Sequence, residues 1–140
     1  MTTTVLREFG LADHGEVIAL WHACGLHPSR SDRLDAIARK LERDPDLFLV
    51  IEEGGHVIAS ALGSFDGRRG WINRLAVAPA ARGRALGHRL VHESEARLIA
   101  KGCEKANLLI ERDNDSVAAF YARLGYAADD LVFMEKWIAR

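Results

Sequence analysis

The stretch Val77-Ala-Pro-Ala-Ala-Arg82-Gly83-Arg84-Ala85-Leu86-Gly87 sets two arginines and a glycine turn between an apolar strand pattern and a long helical one. A helix that opens out of such a turn aims its first, unpaired backbone N–H groups at one point. The positive end of the helix dipole stands behind them. That arrangement suits a phosphate or pyrophosphate, and flanking arginines strengthen it. The plain alternative is a strand-to-helix loop whose arginines are merely solvated. His88 and His92 stand at i and i+4, which is metal-ligand spacing. No third ligand accompanies them, and Glu93 does not complete an H-E-x-x-H pattern, so a surface pair is expected and no metal. The glycine spacing is neither a dinucleotide fingerprint nor a Walker loop. His27 and Arg30, in the loop between the first two helical patterns, are solvated by default.

The whole chain sets limits on what such a site could serve. At 140 residues a single domain, 1–140, is expected. With 49% hydrophobic and 28% charged residues the composition is that of a globular protein rather than a disordered one. The formal net charge is −1, so no global field favours nucleic acid or an anionic membrane. Arginines nonetheless crowd one region, at positions 68, 69, 74, 82, 84 and 89. A locally basic, globally neutral chain suits a small anionic ligand better than a polyanion. Its aromatics are not interleaved with basic residues as in RNA-binding sheets. Cys24 and Cys103 stand alone in apolar, helix-flanking contexts, which fits buried thiols in a reducing compartment. The start Met1-Thr-Thr-Thr lacks the charged opening and apolar core of a signal peptide, and no apolar run is long enough to span a bilayer. A cytoplasmic location is expected.

The elements that must position these residues follow from periodicity and punctuation. Val5 to Phe9 reads as a strand. Asp13 with Glu16 resembles a capping box, and Val17, Leu20, Trp21 and Cys24 continue as an amphipathic helix that Gly25 and Pro28 break. A second helix carries Leu34, Ile37, Ala38 and Leu41 on one face. Strands are expected at Leu47–Glu52, Val57–Phe65 and Trp71–Val77, joined by glycine turns. After the arginine loop comes a helix with Leu86, Leu90, Val91, Leu98 and Ile99, stopped by Gly102 as a left-handed cap. Ala106 to Ile110 reads as a strand, and Asn114 or Asp115 caps a short helix ended by Gly125. Leu131 to Ile138 reads as a closing strand. The order β-α-α-β-β-β-α-β-α-β describes an α/β (α+β) chain with a mixed sheet and helices on both faces.

Three of these features occur together: the strand into Arg82-Gly83-Arg84, the strand ending at Glu111-Arg-Asp-Asn114, and the helix end Phe120-Tyr121-Ala-Arg-Leu-Gly125-Tyr126. In element order and motifs, over essentially its full length, the chain resembles the GCN5-related N-acetyltransferase (GNAT) superfamily, in its small single-domain bacterial YpeA-like branch. The resemblance implies a twisted, mostly antiparallel sheet of six to seven strands. It implies that Arg82, Gly83, Arg84, Ala85, Leu86 and Gly87 bind the pyrophosphate of acetyl-CoA, a cosubstrate, through main-chain N–H groups. Ala85 departs from the family pattern, which usually has glycine there. A place in the first helical turn is the expected reading, where alanine is harmless. At φ > 0 its methyl would crowd the phosphate.

The resemblance further implies that Leu75, Ala76 and Val77 pair their backbone with the pantetheine arm as if with another strand. An N–H near Leu75 would polarise the thioester carbonyl. Plain core strand is the competing reading, and the same residues can do both. Tyr121 matches the position of the family's general acid, which protonates the departing thiolate. A packed helix tyrosine is its bland alternative. Asn114 is a helix cap, a cofactor hydrogen-bond partner, or both. For the base the relevant positions are Trp71, Asn73, Leu109 and Glu111. Glu111 is the one carboxylate among them, against a solvated strand-end charge or water relayed to backbone carbonyls. The loop around His27 and the last strand would shape a pocket for a primary amine, on a small molecule or a protein. The implied function is acetyl transfer by direct attack in a ternary complex. The alternative from another class is a noncatalytic acyl-CoA sensor. Relatives commonly form homodimers, and an exposed edge at Leu131–Ile138 would offer one way to pair.

Overall fold

A computed structural model describes residues 3–111 and 114–139. Two compact units divide the chain, Met1–Leu108 and Leu109–Arg140. The first holds β1 (Thr4–Glu8), α1 (His14–Ala23), α2 (Leu34–Arg43), β2 (Phe48–Glu53), β3 (His56–Phe65), β4 (Gly70–Val77), α3 (Leu86–Ala100) and β5 (Ala106–Asn107). The second holds α4 (Asp115–Arg123).

The five strands lie in chain order. Every neighbouring pair is antiparallel except β4 and β5, which run parallel. A parallel pair needs a crossover, and α3 supplies it. β2 shows why helices cover both faces. Phe48, Leu49, Val50 and Ile51 are all fully buried, as expected for a central strand with no solvated side. Phe48 and Val50 join Phe9, Val17, Leu20, Trp21 and Ile37 under α1 and α2. Leu49 and Ile51 join Ala59, Ala61, Leu86 and Leu90 under α3.

Gly70 lets α3 close on the start of β4. A Cβ there would lie 2.8 Å from Cys103 Sγ and 3.0 Å from both Leu98 methyls. Gly70→Ala is therefore expected to destabilise by about 1–3 kcal/mol through overpacking, read as a lower thermal midpoint.

Some sequence expectations change. Asp13 caps no N–H of α1, because its carboxylate accepts the Gly10 N–H at 2.9 Å and pairs with Arg7 at 2.8 Å. Glu16 is occupied by the Val57 N–H, 3.1 Å away. The β5 strand is two residues long and does not reach Ile110. The expected strand Leu131–Ile138 is absent, so the described residues form five strands where six to seven were expected. A strand exists only by pairing, and the described residues of the second unit contain no other strand. Leu131, Val132, Met134 and Ile138 stand exposed instead. Among the described residues no helix is long and apolar enough to cross a membrane.

Candidate active site

In the first unit the site is built where β4 turns into α3. A single turn, Pro79–Ala81, leads out of the strand. The chain then passes through Gly83 at φ 81° and Ala85 at φ 60° before α3 starts at Leu86. Ala85 thus takes the N-cap position in the left-handed region. This corrects the expectation that it lies in the first helical turn. The first N–H bonded back along the helix is that of Arg89, to the Ala85 carbonyl at 3.1 Å. The N–H groups of Leu86, Gly87 and His88 precede that bond and face the helix mouth, as helix geometry requires. No atom lies within 4 Å of a Cβ built on Gly83, so the turn is open to a ligand.

The two arginines differ. Arg84 is committed to Glu53 at the end of β2, through Nη1 at 3.1 Å and through Nη2, which raises its pKa further. Its charge is thereby largely offset, and it offers an anion its main-chain N–H. Arg82 is exposed and donates from Nε to the Val77 carbonyl at 3.2 Å, folding back to brace the loop. That carbonyl also accepts the Cys24 thiol at 3.3 Å.

β4 is paired on one side only over most of its length. β5 matches just Gly70 and Trp71, to Ala106 and Asn107. Among the described residues the edge away from β3 has no strand partner from Ile72 to Val77, which leaves an edge that an extended ligand arm can use. On the β3 side the register jumps: Leu62 opposes Asn73 and Ser60 opposes Ala76, so Arg74 and Leu75 together face Ala61. This is a β-bulge, which turns one residue out of the ladder. Arg74 holds it at φ 53°. Its guanidinium reaches Asp32 at 2.6 Å and the His27 carbonyl at 3.2 Å, and it lies over the Trp21 ring at 5.2 Å. Nothing in the sequence marked this cluster, since its members are separated by tens of residues.

In the second unit Tyr121 is buried in α4, edge-on to Phe120 at 5.2 Å and to Tyr126 at 5.4 Å. Its hydroxyl makes no hydrogen bond among the described residues. Burial pushes its phenol up to about 12. Asn114 sits at the N-cap of α4, but its carboxamide oxygen accepts from the Ser116 hydroxyl at 3.3 Å rather than from a helix N–H. Glu111 is exposed, and its carbonyl accepts the Asn114 N–H at 3.0 Å. Arg112 and Asp113, between these two, lie outside the described residues.

The His88 and His92 rings stack 6.3 Å apart on α3, beside an open hollow of about 460 Å³ also lined by Leu6, Arg89, Glu93 and Arg97. Arg97 pairs there with Glu93 and Glu8, and Arg89 donates to the Thr4 hydroxyl. No group of three or more potential metal ligands occurs among the described residues.

Residues 15–126 match the sequence profile of the acetyltransferase (GNAT) family. The chain belongs to the GNAT acetyltransferase family. It is 43% identical over 129 residues to an acetyltransferase of Sodalis glossinidius, covering 92% of this chain and 91% of that one. An acetyltransferase of Yersinia enterocolitica is 40% identical over 131 residues, covering 94% and 93%. Among solved structures, the chain resembles the PaiA N-acetyltransferase of Thermoplasma acidophilum in complex with coenzyme A. The TM-score is 0.81 at 17% identity, with 93% of each chain covered. At that identity the likeness speaks for the fold. The family and the relatives make this GNAT chain an acetyltransferase.

Proposed function

We propose that this protein transfers an acetyl group from acetyl-CoA to a primary amine by direct attack in a ternary complex. The observation that carries the reading is the first unit's strand-loop-helix junction. An open helix mouth, preceded by two left-handed residues, adjoins a strand edge that is free of pairing beyond Trp71 among the described residues. The main-chain N–H groups of Arg82 to Gly87 take the pyrophosphate, and Leu75, Ala76 and Val77 line the pantetheine arm. The Val77 carbonyl is already engaged by Cys24 and Arg82, and the Ala76 backbone faces Ser60 of β3, so Leu75 carries more of that pairing. The coenzyme A complex of the Thermoplasma protein supports this placement by analogy of fold.

In the reaction the amine nitrogen forms a bond to the thioester carbon while the Leu75 N–H stabilises the charge on its oxygen. The C–S bond then breaks, and the sulfur draws on the Tyr121 hydroxyl. Before the attack the ammonium loses one proton to Glu111 or to water, and the nitrogen gives up a second as the amide forms, which balances the proton the thiolate takes up. Asn114 is a further hydrogen-bond partner for the cosubstrate. The amine acceptor is a small molecule or a protein amine. Direct attack needs no covalent cysteine; Cys24 donates to the Val77 carbonyl and Cys103 is buried.

The deciding experiment is calorimetric titration of acetyl-CoA, with thermal melting alongside. Saturable one-site binding, adding about 2.7 kcal/mol of stability at a hundredfold excess over Kd, is expected. Arg82→Ala should weaken it. Absence of binding would overturn the proposal. Ala85→Gly is expected to tighten binding, because glycine takes φ 60° without a methyl at the helix mouth. Unchanged or weaker binding in that variant would show that the methyl does not crowd the ligand.

A further inference from the structure

Arg74 is one of two non-glycine residues in the left-handed region among the described residues; the other is Ala85, in the phosphate loop. A side chain of that size keeps such a backbone only where its surroundings over-determine it, and such positions cluster at functional sites. Here the residue is held at both ends. Its guanidinium donates to Asp32 Oδ2 at 2.6 Å and to the His27 carbonyl at 3.2 Å, and it stacks on Trp21. Its own carbonyl accepts the Ser60 hydroxyl at 2.9 Å, and Ser60 Oγ in turn accepts the Trp21 indole N–H at 2.8 Å. The ring closes from guanidinium to indole to serine and back to the Arg74 backbone. Asp32 is buried and also accepts the Ser29 N–H at 2.8 Å, which ties the whole 27–32 loop to the same guanidinium.

We propose that Arg74 is a positioning residue: this closed clamp holds the β4 bulge so that the adjacent Leu75 N–H stays on the thioester carbonyl, and it locks the 27–32 loop to that geometry. The proposal rests on the acetyl-transfer function argued above. Arg74 itself touches neither the acetyl group nor the amine. A planar fork with two acceptors and an aromatic face is a role lysine fills poorly.

Arg74→Gly removes the clamp while leaving φ 53° freely accessible, and Asp32→Asn weakens it with the arginine in place. The probe is acetyl-CoA carrying ¹³C at the thioester carbonyl, whose infrared band moves to lower frequency when the carbonyl is polarised. In the wild type the bound band is expected below that of free acetyl-CoA. In both variants it should move back towards the free value. The acetyl-CoA Kd should stay within about threefold, because the main-chain N–H groups at the helix mouth are unaltered. Arg74→Lys should fall between. In the unliganded protein, amide exchange should rise together at 27–32 and 73–77, by about tenfold or more, with the middle of α3 unchanged.

A merely structural role would lower the melting temperature without moving the band of the folded protein. An unmoved band, or unchanged exchange at 73–77, overturns the proposal. If Arg74→Gly fails to fold, Asp32→Asn and Ser60→Ala carry the same test. Failure of the wild type to bind acetyl-CoA would instead overturn the function, and with it the catalytic part of this proposal. The exchange result would still decide whether the clamp holds the bulge.

Discussion

Tyr121→Phe is expected to lower turnover by about a hundredfold, the low end of the range for a positioned acid, with acetyl-CoA affinity unchanged within twofold. Its pKa sets the size of the effect. Burial pushes the phenol up to about 12, well above the roughly 8.5 of an ordinary thiol. Complete transfer of its proton to a thiolate is therefore uphill by about 3–4 units, or roughly 5 kcal/mol. In the proposed reaction the hydroxyl helps most as a hydrogen-bond donor to the sulfur while the C–S bond breaks, rather than by full proton release beforehand. It stays protonated throughout the neutral range, so it adds no limb to the pH–rate profile below pH 10. The substitution removes one oxygen and keeps the ring against Phe120 and Tyr126, so the melting temperature should hardly move at neutral pH. The raised pKa also has a sign for stability. A phenol held up to about 12 in the folded state and titrating near 10 when unfolded leaves stability intact below pH 10 and lowers it as pH climbs towards 12. A spectrophotometric titration at alkaline pH, wild type minus Tyr121→Phe, should show one phenol ionising near pH 12. A difference curve centred at pH 10 would mean the ring is solvated. Turnover within threefold of wild type would remove Tyr121 from the chemistry.

The fold was legible wherever a local pattern and its tertiary use coincide. The run Leu47–Ile51 announces a strand covered on both faces, and the structure buries its alternate residues under different helices. Gly102 and Gly125 end helices at φ 92° and 94°. The loop from Val77 to Gly87 was visible as a turn feeding a helix. Its geometry was not, because alanine at position 85 argues for helix by propensity, while the tight entry into α3 demands a left-handed residue there. Asp13 and Glu16 have capping-box spacing, yet partners from Arg7 and the β2–β3 hairpin take both carboxylates. The apolar pattern of 131–138 is strand-like, but pairing is a property of two segments and a pattern reads only one. The Arg74 clamp was invisible for the same reason, since its contacts join residues 14, 42 and 47 positions apart. What a single sequence window cannot carry is the identity of the partner.

Phe48→Ala tests how far the core reaches into the site. Phe48 is fully buried, and its ring lies 4.1 Å from that of Phe9 and 6.1 Å from that of Trp21, nearly parallel to both. Removing the middle of this stack should destabilise by about 3–5 kcal/mol, a large part of the roughly 5–15 kcal/mol typical of a domain. The melting temperature is expected to fall by roughly 10–15 °C. Phe48→Leu, which keeps most of the volume, should lose only about 1–1.5 kcal/mol. The effect should also be directional. Trp21 packs one way on Phe48, donates to Ser60 and lies under Arg74, so a loosened Trp21 loosens the bulge beside Leu75. Ile51 is equally buried on the same strand but belongs to the cluster under α3. Ile51→Ala should destabilise by about 2–5 kcal/mol and leave the bound thioester band where the wild type has it. Phe48→Ala, assayed below its own melting temperature, should shift that band towards free acetyl-CoA. Equal shifts in the two variants would mean that general softening, and not the Trp21 contact, governs the bulge. A shift in Phe48→Ala alone would make the aromatic stack the route by which one face of the sheet sets the geometry of the reacting edge.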